Sequence, residues 1–106
     1  MEHTYRHVSF ETAKKMMDEQ PEHLIIDVRG EEEYATGHAS DAVLLPLDTI
    51  SAETAAEVIP SKTTLVFAYC RSGRRSRLAA DRLAELGYTN VYDIGSLVGW
   101  PYGMEW

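Results

Sequence analysis

The sequence predicts an α/β domain whose parallel sheet is covered by helices on both faces. Two observations carry this. Short runs rich in branched residues, LIIDV (24–28), AVLLP (42–46), TTLVFAY (63–69) and NVYDI (90–94), alternate with stretches of helical periodicity. Those runs are apolar throughout instead of alternating, as strands buried on both sides are. The chain has 106 residues, no repeats and no linker-like tract, so it reads as one domain over 1–106, long enough for a single packed core.

Taken in order, Ser9 is an N-cap for a helix through FETAKKMMDEQ, with Phe10, Ala13, Met16 and Met17 on one face and Pro21 as its stop. LIIDV is a buried strand. GEEEYATG, residues 30–37, is a short helix stopped by glycine. AVLLP is a strand closed by proline. Ser51 caps a helix through SAETAAEV, with Thr54 three residues on and Glu53 in the first turn, and Pro60 ends it. TTLVFAY is the clearest strand and SRLAADRLAEL (76–86) the clearest helix. Leu78, Ala79, Leu83 and Leu86 line one side of that helix, and Gly87 stops it. NVYDI is the last strand.

The composition, 44% apolar and 25% charged, is that of an ordinary globular protein. No apolar run approaches a membrane span, and MEHTYRHVSF has no apolar core of a signal peptide, so no membrane association is expected. A single cysteine makes no internal disulfide, and a cytoplasmic location is expected. The net charge of −7 argues against general nucleic-acid binding, which rests on neutralising phosphates. That charge is uneven: four of the seven arginines fall between Arg71 and Arg77.

Three of them, Arg71, Arg74 and Arg75, follow the only thiol at once, in YCRSGRRS (69–76). Cys70 ends a strand and opens the loop into a helix, at the carboxyl end of the sheet where α/β folds place their ligands. A thiol is a poor nucleophile until it loses its proton. The positive end of the following helix, a loop that curls its N–H groups inward, and Arg71, Arg74 and Arg75 all favour the thiolate. Gly73 permits the curl. The same groups would hold an anionic substrate beside the nucleophile. A lone cysteine closing a buried strand is ordinarily an inert small hydrophobe. Strand, cysteine, basic glycine-containing loop and helix together outweigh that reading.

Here the sequence resembles the single-domain rhodanese (thiosulfate sulfurtransferase) family over nearly its full length. LIIDVRGEEEYATGHASDAVLLP is similar to the family's first signature, VFAYCRSGRRSRLAADRLAELGYTNVYDI to its active-site strand, loop and helix, and GSLVGW to its Gly-Gly-x-x-x-Trp. The resemblance implies a three-layer domain with a central, mainly parallel sheet of about five strands. It also implies a mechanism. Cys70 takes the outer sulfur of a small sulfur-containing anion such as thiosulfate, sulfite leaves, and the Cys70 persulfide passes its sulfur to cyanide, a thiol or a protein acceptor, with no cofactor and no metal. The backbone from Arg71 through Ser72, Gly73, Arg74 and Arg75 to Ser76 would cradle the anion. Asp27 and Arg29 would support the rim, with Arg29 pairing with Glu33 and Asp27 accepting from loop backbone.

Other residues are assigned plainer roles. His38 reads as structural. His3 and His7 have i,i+4 spacing but no further ligands, so no metal site is expected. Trp100, Tyr102 and Trp106 read as packing, or as a partner surface if exposed. The chain departs from the family at Ala39, Ser40 and Asp41, where Ile-Pro-Gly is usual, at Ser96, the second glycine of Gly-Gly, and in its short PYGMEW tail. The alternative function is a sulfur-carrier or interaction module with little turnover on small donors. Phosphatases and arsenate reductases of related fold have Cys-x5-Arg, whereas here Arg75 is fifth after Cys70 and Ser76 sixth, which favours sulfur. A dithiol oxidoreductase would need a second cysteine.

Overall fold

The computed structural model describes residues 5–106. Along the chain run β1 (Arg6–His7), α1 (Phe10–Glu19), β2 (His23–Asp27), α2 (Glu31–Ala35), β3 (His38–Ala39), β4 (Val43–Leu44), a 3-10 turn (Leu47–Thr49), α3 (Ala52–Val58), β5 (Leu65–Cys70), α4 (Arg74–Glu85), β6 (Val91–Ser96) and β7 (Met104–Glu105). Five strands form a parallel sheet in the order β1-β6-β5-β2-β4. β3 and β7 pair antiparallel as a separate ribbon.

Alternate side chains of β5 enter two cores, as the period-two geometry of a strand requires. Val66, Ala68 and Cys70 join Ile26, Ala55, Ala79, Ala80 and Leu83 on the α3–α4 face. Leu65, Phe67 and Tyr69 join Ala13, Met17 and Ile25 on the α1 face. All six residues of β5 are buried, which is why this strand reads as unbroken apolar sequence.

The caps form as the sequence indicates. Ser9 accepts from the Thr12 N–H, and Ser51 and Thr54 form a reciprocal capping box. Four expectations need correction. The AVLLP strand pairs only at Val43–Leu44, because Pro46 introduces the 3-10 turn. α4 begins at Arg74, two residues before the expected start, because Gly73 in the left-handed region (φ 90) is its N-cap. Arg74, Arg75 and Ser76 are therefore first-turn helical residues, not loop. Leu78 is 48% exposed, since the face against the sheet is the stripe Ser76, Ala79, Ala80, Leu83 and Ala84, whose small residues let the helix sit close.

Asp41, which stands where the family's glycine is usual, has a left-handed backbone, φ 68. That turn leads away from the β3–β7 ribbon, where Ser40 N–H donates to the Gly103 carbonyl and Asp41 N–H to Glu105 Oε1. β6 carries a bulge: Ala68 pairs with Asp93 but Tyr69 with Gly95, leaving Ile94 as an extra residue.

Candidate active site

Cys70 ends β5 with its side chain turned to the α4 face and fully buried. The Gly73 N–H donates to Cys70 Sγ at 2.9 Å, a bond that a thiolate accepts more strongly than a thiol. Gly73 makes this possible: at φ 90 any side chain is strained, and an added Cβ would stand 3.6 Å from Gly95 Cα. The N-terminal end of α4, with its unpaired N–H groups and positive dipole, follows directly. The loop is tied on both sides. Ser76, fully buried, donates to the Gly73 carbonyl at 3.1 Å. Ser96 Oγ donates to the Arg71 carbonyl and accepts from the Val98 N–H at 3.1 Å, so the serine in place of a family glycine clamps the loop.

The arginines have different fates. Arg75 forks onto Glu33 with contacts of 2.7 and 2.8 Å, so it is not the free anion contact expected, and Glu33 is not the partner of Arg29. The Arg75 fork, helped by the Gly30 N–H, lowers the Glu33 carboxyl to about 2. Bonding to Glu33 in turn raises Arg75. Arg71 and Arg74 are exposed, and among the described residues neither enters an ion pair. Ser72 is exposed at the loop's apex.

Asp27 and Arg29 pair with each other. Both are buried, and Arg29 reaches the Asp27 carboxylate through Nε (3.0 and 3.1 Å) and Nη2 (2.7 Å), while its own backbone N–H donates to Oδ1 at 2.9 Å. Arg29 Nη2 also donates to the Gly37 carbonyl at 2.6 Å. Tyr69 completes the network, its hydroxyl donating to Asp27 Oδ2 at 2.6 Å and accepting from the Ala39 N–H at 3.1 Å. Burial, and then the bond to Asp27, push the Tyr69 phenol well above the usual tyrosine range. This network joins β2, β5 and β3, through Ala39, on the sheet face opposite the Cys70 side chain. A cleft of about 540 Å³, lined among others by Arg29, Arg71, Leu97, Val98 and Trp100, opens beside it.

The His38 ring stacks on Tyr34 with centroids 3.7 Å apart, and its Nδ1 lies 2.9 Å from the Tyr34 carbonyl. His3 lies outside the described residues. Among the described residues no cluster of three His, Cys, Asp or Glu side chains could hold a metal. Trp100 packs edge-on against Phe10 and Tyr102, whereas Trp106 is 84% exposed. No described helix is long and apolar enough to cross a membrane. Sequence reasoning missed the Tyr69 hydroxyl, Glu33 as the partner of Arg75, and the Ser96 clamp.

The profile of the rhodanese-like domain matches residues 9–101. The chain is 40% identical over 72 residues to thiosulfate sulfurtransferase PspE of Escherichia coli K12, covering 68% of each. It is 31% identical over 94 residues to a sulfurtransferase of Allochromatium vinosum, covering 88% of this chain and 85% of that one. A solved structure described as rhodanese with anions from E. coli superposes with a TM-score of 0.73 at 35% identity, covering 78% of this chain and 96% of that one. Longer relatives also match: the chain covers 19% of an adenylyltransferase and sulfurtransferase of Ogataea parapolymorpha and 34% of a tRNA uridine(34) hydroxylase of Protochlamydia amoebophila. The strand, basic loop and helix around Cys70, the five-stranded parallel sheet and these matches lead to one conclusion: the chain belongs to the rhodanese-like domain family.

Proposed function

We propose that the protein is a sulfurtransferase that moves a sulfane sulfur from thiosulfate, or a related persulfide donor, to a thiophilic acceptor through a Cys70 persulfide. The observation that carries the reading is the Gly73 N–H aimed at Cys70 Sγ within a basic loop at the carboxyl end of β5. In the first half-reaction the Cys70 thiolate attacks the outer sulfur of thiosulfate. A Cys70–sulfur bond forms, the sulfur–sulfur bond of the donor breaks, and sulfite leaves with the electron pair. In the second, the acceptor attacks the outer persulfide sulfur and Cys70 departs as thiolate. Donated backbone hydrogen bonds from the loop stabilise the anionic sulfur at both stages. Arg71 and Arg74 supply the free positive charge that draws the donor anion, while Arg75 and Ser76 hold the loop in shape. Asp27 and Arg29 act as positioning residues. An unpaired thiol with this task suits a reducing compartment such as the cytoplasm.

Steady-state rates with thiosulfate and cyanide test this. A ping-pong pattern with thiocyanate as product is expected, and Cys70→Ser abolishes it. A sequential pattern, or activity surviving in the variant, would overturn the persulfide route. One observation favours a second reading, a sulfur carrier with little turnover on small donors: Cys70 has no exposed surface. Such a carrier would load from a protein persulfide but not from thiosulfate.

A further inference from the structure

The outer face of α4 is open to solvent. The helix buries Ser76, Ala79, Ala80, Leu83 and Ala84 against the sheet and leaves Arg74, Arg77, Leu78, Asp81, Arg82 and Glu85 exposed. The charge on this side of the molecule runs against that of the rest. Residues 71–82 hold five of the seven arginines and a single acid, Asp81, on a chain of net charge −7. Arg75 is spent on Glu33. Arg74, Arg77 and Arg82 enter no ion pair among the described residues. Asp81 on the same helix is exposed, and so is Asp48 on the 3-10 turn beside Arg75, yet neither pairs with these arginines.

Leu78 stands among them, 48% exposed. Arg74 lies one turn before it and Arg82 one turn after it, the i−4 and i+4 neighbours on the helix surface. An apolar centre with an arginine rim is the pattern of a protein interface. Free positive charge confined to one face of an acidic chain steers an acidic surface to that face and holds it in one orientation. Duplex nucleic acid fits less well. Its phosphates would offer Leu78 no contact, and the acidic remainder of the chain repels them.

We propose that the outer face of α4 docks an acidic protein surface, whose carboxylates pair with Arg74, Arg77 and Arg82 while an apolar side chain covers Leu78. The proposal is independent of the chemistry assigned to Cys70. The face ends at Gly73, the N-cap of α4 and the residue bonded to Cys70 Sγ, so a partner seated there borders the Cys70 loop.

A synthetic peptide of repeated Glu-Glu-Leu, titrated into labelled protein and followed by amide NMR shifts, tests it. Shifts centred on Arg74, Leu78 and Arg82 are expected. They should vanish when Gln replaces each Glu of the peptide, and weaken at high salt. Leu78→Ser should raise the Kd about three- to tenfold and Arg82→Gln about two- to fivefold. Both positions are exposed, so both variants should keep the urea midpoint of the parent protein. Lys15→Gln, the same charge change on the exposed side of α1, should leave the Kd unchanged. No shifts at millimolar peptide, shifts centred elsewhere, or equal weakening by all three variants would overturn the proposal. Tighter binding of a short RNA duplex at the same salt would also overturn it, in favour of a nucleic-acid face. So would a dimer in sedimentation that Leu78→Ser abolishes, since the occupant would then be a second copy of this chain.

Discussion

Replacing Tyr69 with Phe removes one oxygen from a fully buried network and keeps the ring in place. Two hydrogen bonds go with it: the one donated to Asp27 Oδ2 at 2.6 Å and the one accepted from the Ala39 N–H at 3.1 Å. A hydrogen bond to a charged group contributes about 1.5–3 kcal/mol, and an orphaned buried N–H costs about 1–3 kcal/mol. Asp27 keeps the forked Arg29 contact and the Arg29 backbone N–H, which holds the total near the lower sums. The expected loss is about 2–4 kcal/mol, a large share of the ~5–15 kcal/mol of a typical domain. Urea denaturation followed by circular dichroism should show a lower midpoint at unchanged slope. The pH dependence gives a second test. The Tyr69 phenol is raised in the folded state, first by burial and then by its bond to Asp27. Its contribution is therefore complete below the ordinary tyrosine value of about 10 and falls as pH rises above it, because the unfolded chain ionises first. Tyr69→Phe should flatten that alkaline decline in part, since burial also raises Tyr34 and Tyr88. A loss under about 0.5 kcal/mol, with the alkaline slope unchanged, would refute the claim that this hydroxyl ties β3 to the sheet.

Three other perturbations follow from the same geometry. Glu33, lowered to about 2 by Arg75, stabilises the fold above its ordinary value of 4.5, and this stability fades as pH falls from there toward 2. Glu33→Gln should flatten the acid limb of the stability curve in that window, by under about 1 kcal/mol because the pair is a third exposed. Gly73→Ala puts a side chain on a backbone at φ 90, costing about 1–2 kcal/mol or moving the N–H off Cys70 Sγ, and should slow persulfide formation at least about tenfold, read by stopped-time mass spectrometry. Ser96→Gly releases the Arg71 carbonyl and the Val98 N–H, and should speed alkylation of Cys70 by iodoacetamide; an unchanged rate would show that the clamp does not control access.

The parts of this molecule that read directly from sequence are those in which one local rule decides the outcome. β5 is apolar along its whole length because both its faces are covered, and the Ser9 and Ser51 caps announce α1 and α3. Cys70 at the end of β5, before a basic loop and a helix, is legible for the same reason. β1, β3 and β7 are two residues each, too short for any periodicity, and their pairing is fixed by contacts up to 86 residues apart, as between His7 and Asp93. The partners of the arginines were not legible either. Glu33 lies within reach of Arg29 in sequence, but the Asp27 carboxylate, brought against Arg29 by the turn after β2, is closer and better buried. Arg75 then takes Glu33, because Gly73 starts α4 early and aims that side chain back over α2. Ser96 was visible as a departure, yet its clamp on Arg71 exists only where the bulge in β6 brings the two together.

The proposal stands on Cys70 carrying sulfur as a persulfide, cradled by the Arg71–Gly73 loop and the first turn of α4. The most direct measurement is the intact mass of reduced protein after incubation with thiosulfate and removal of small molecules, beside Cys70→Ser treated alike. A gain of one sulfur atom, reversed by cyanide and absent in the variant, is expected. No gain on a protein whose Cys70 is reduced and alkylatable, or the same gain in Cys70→Ser, would contradict it.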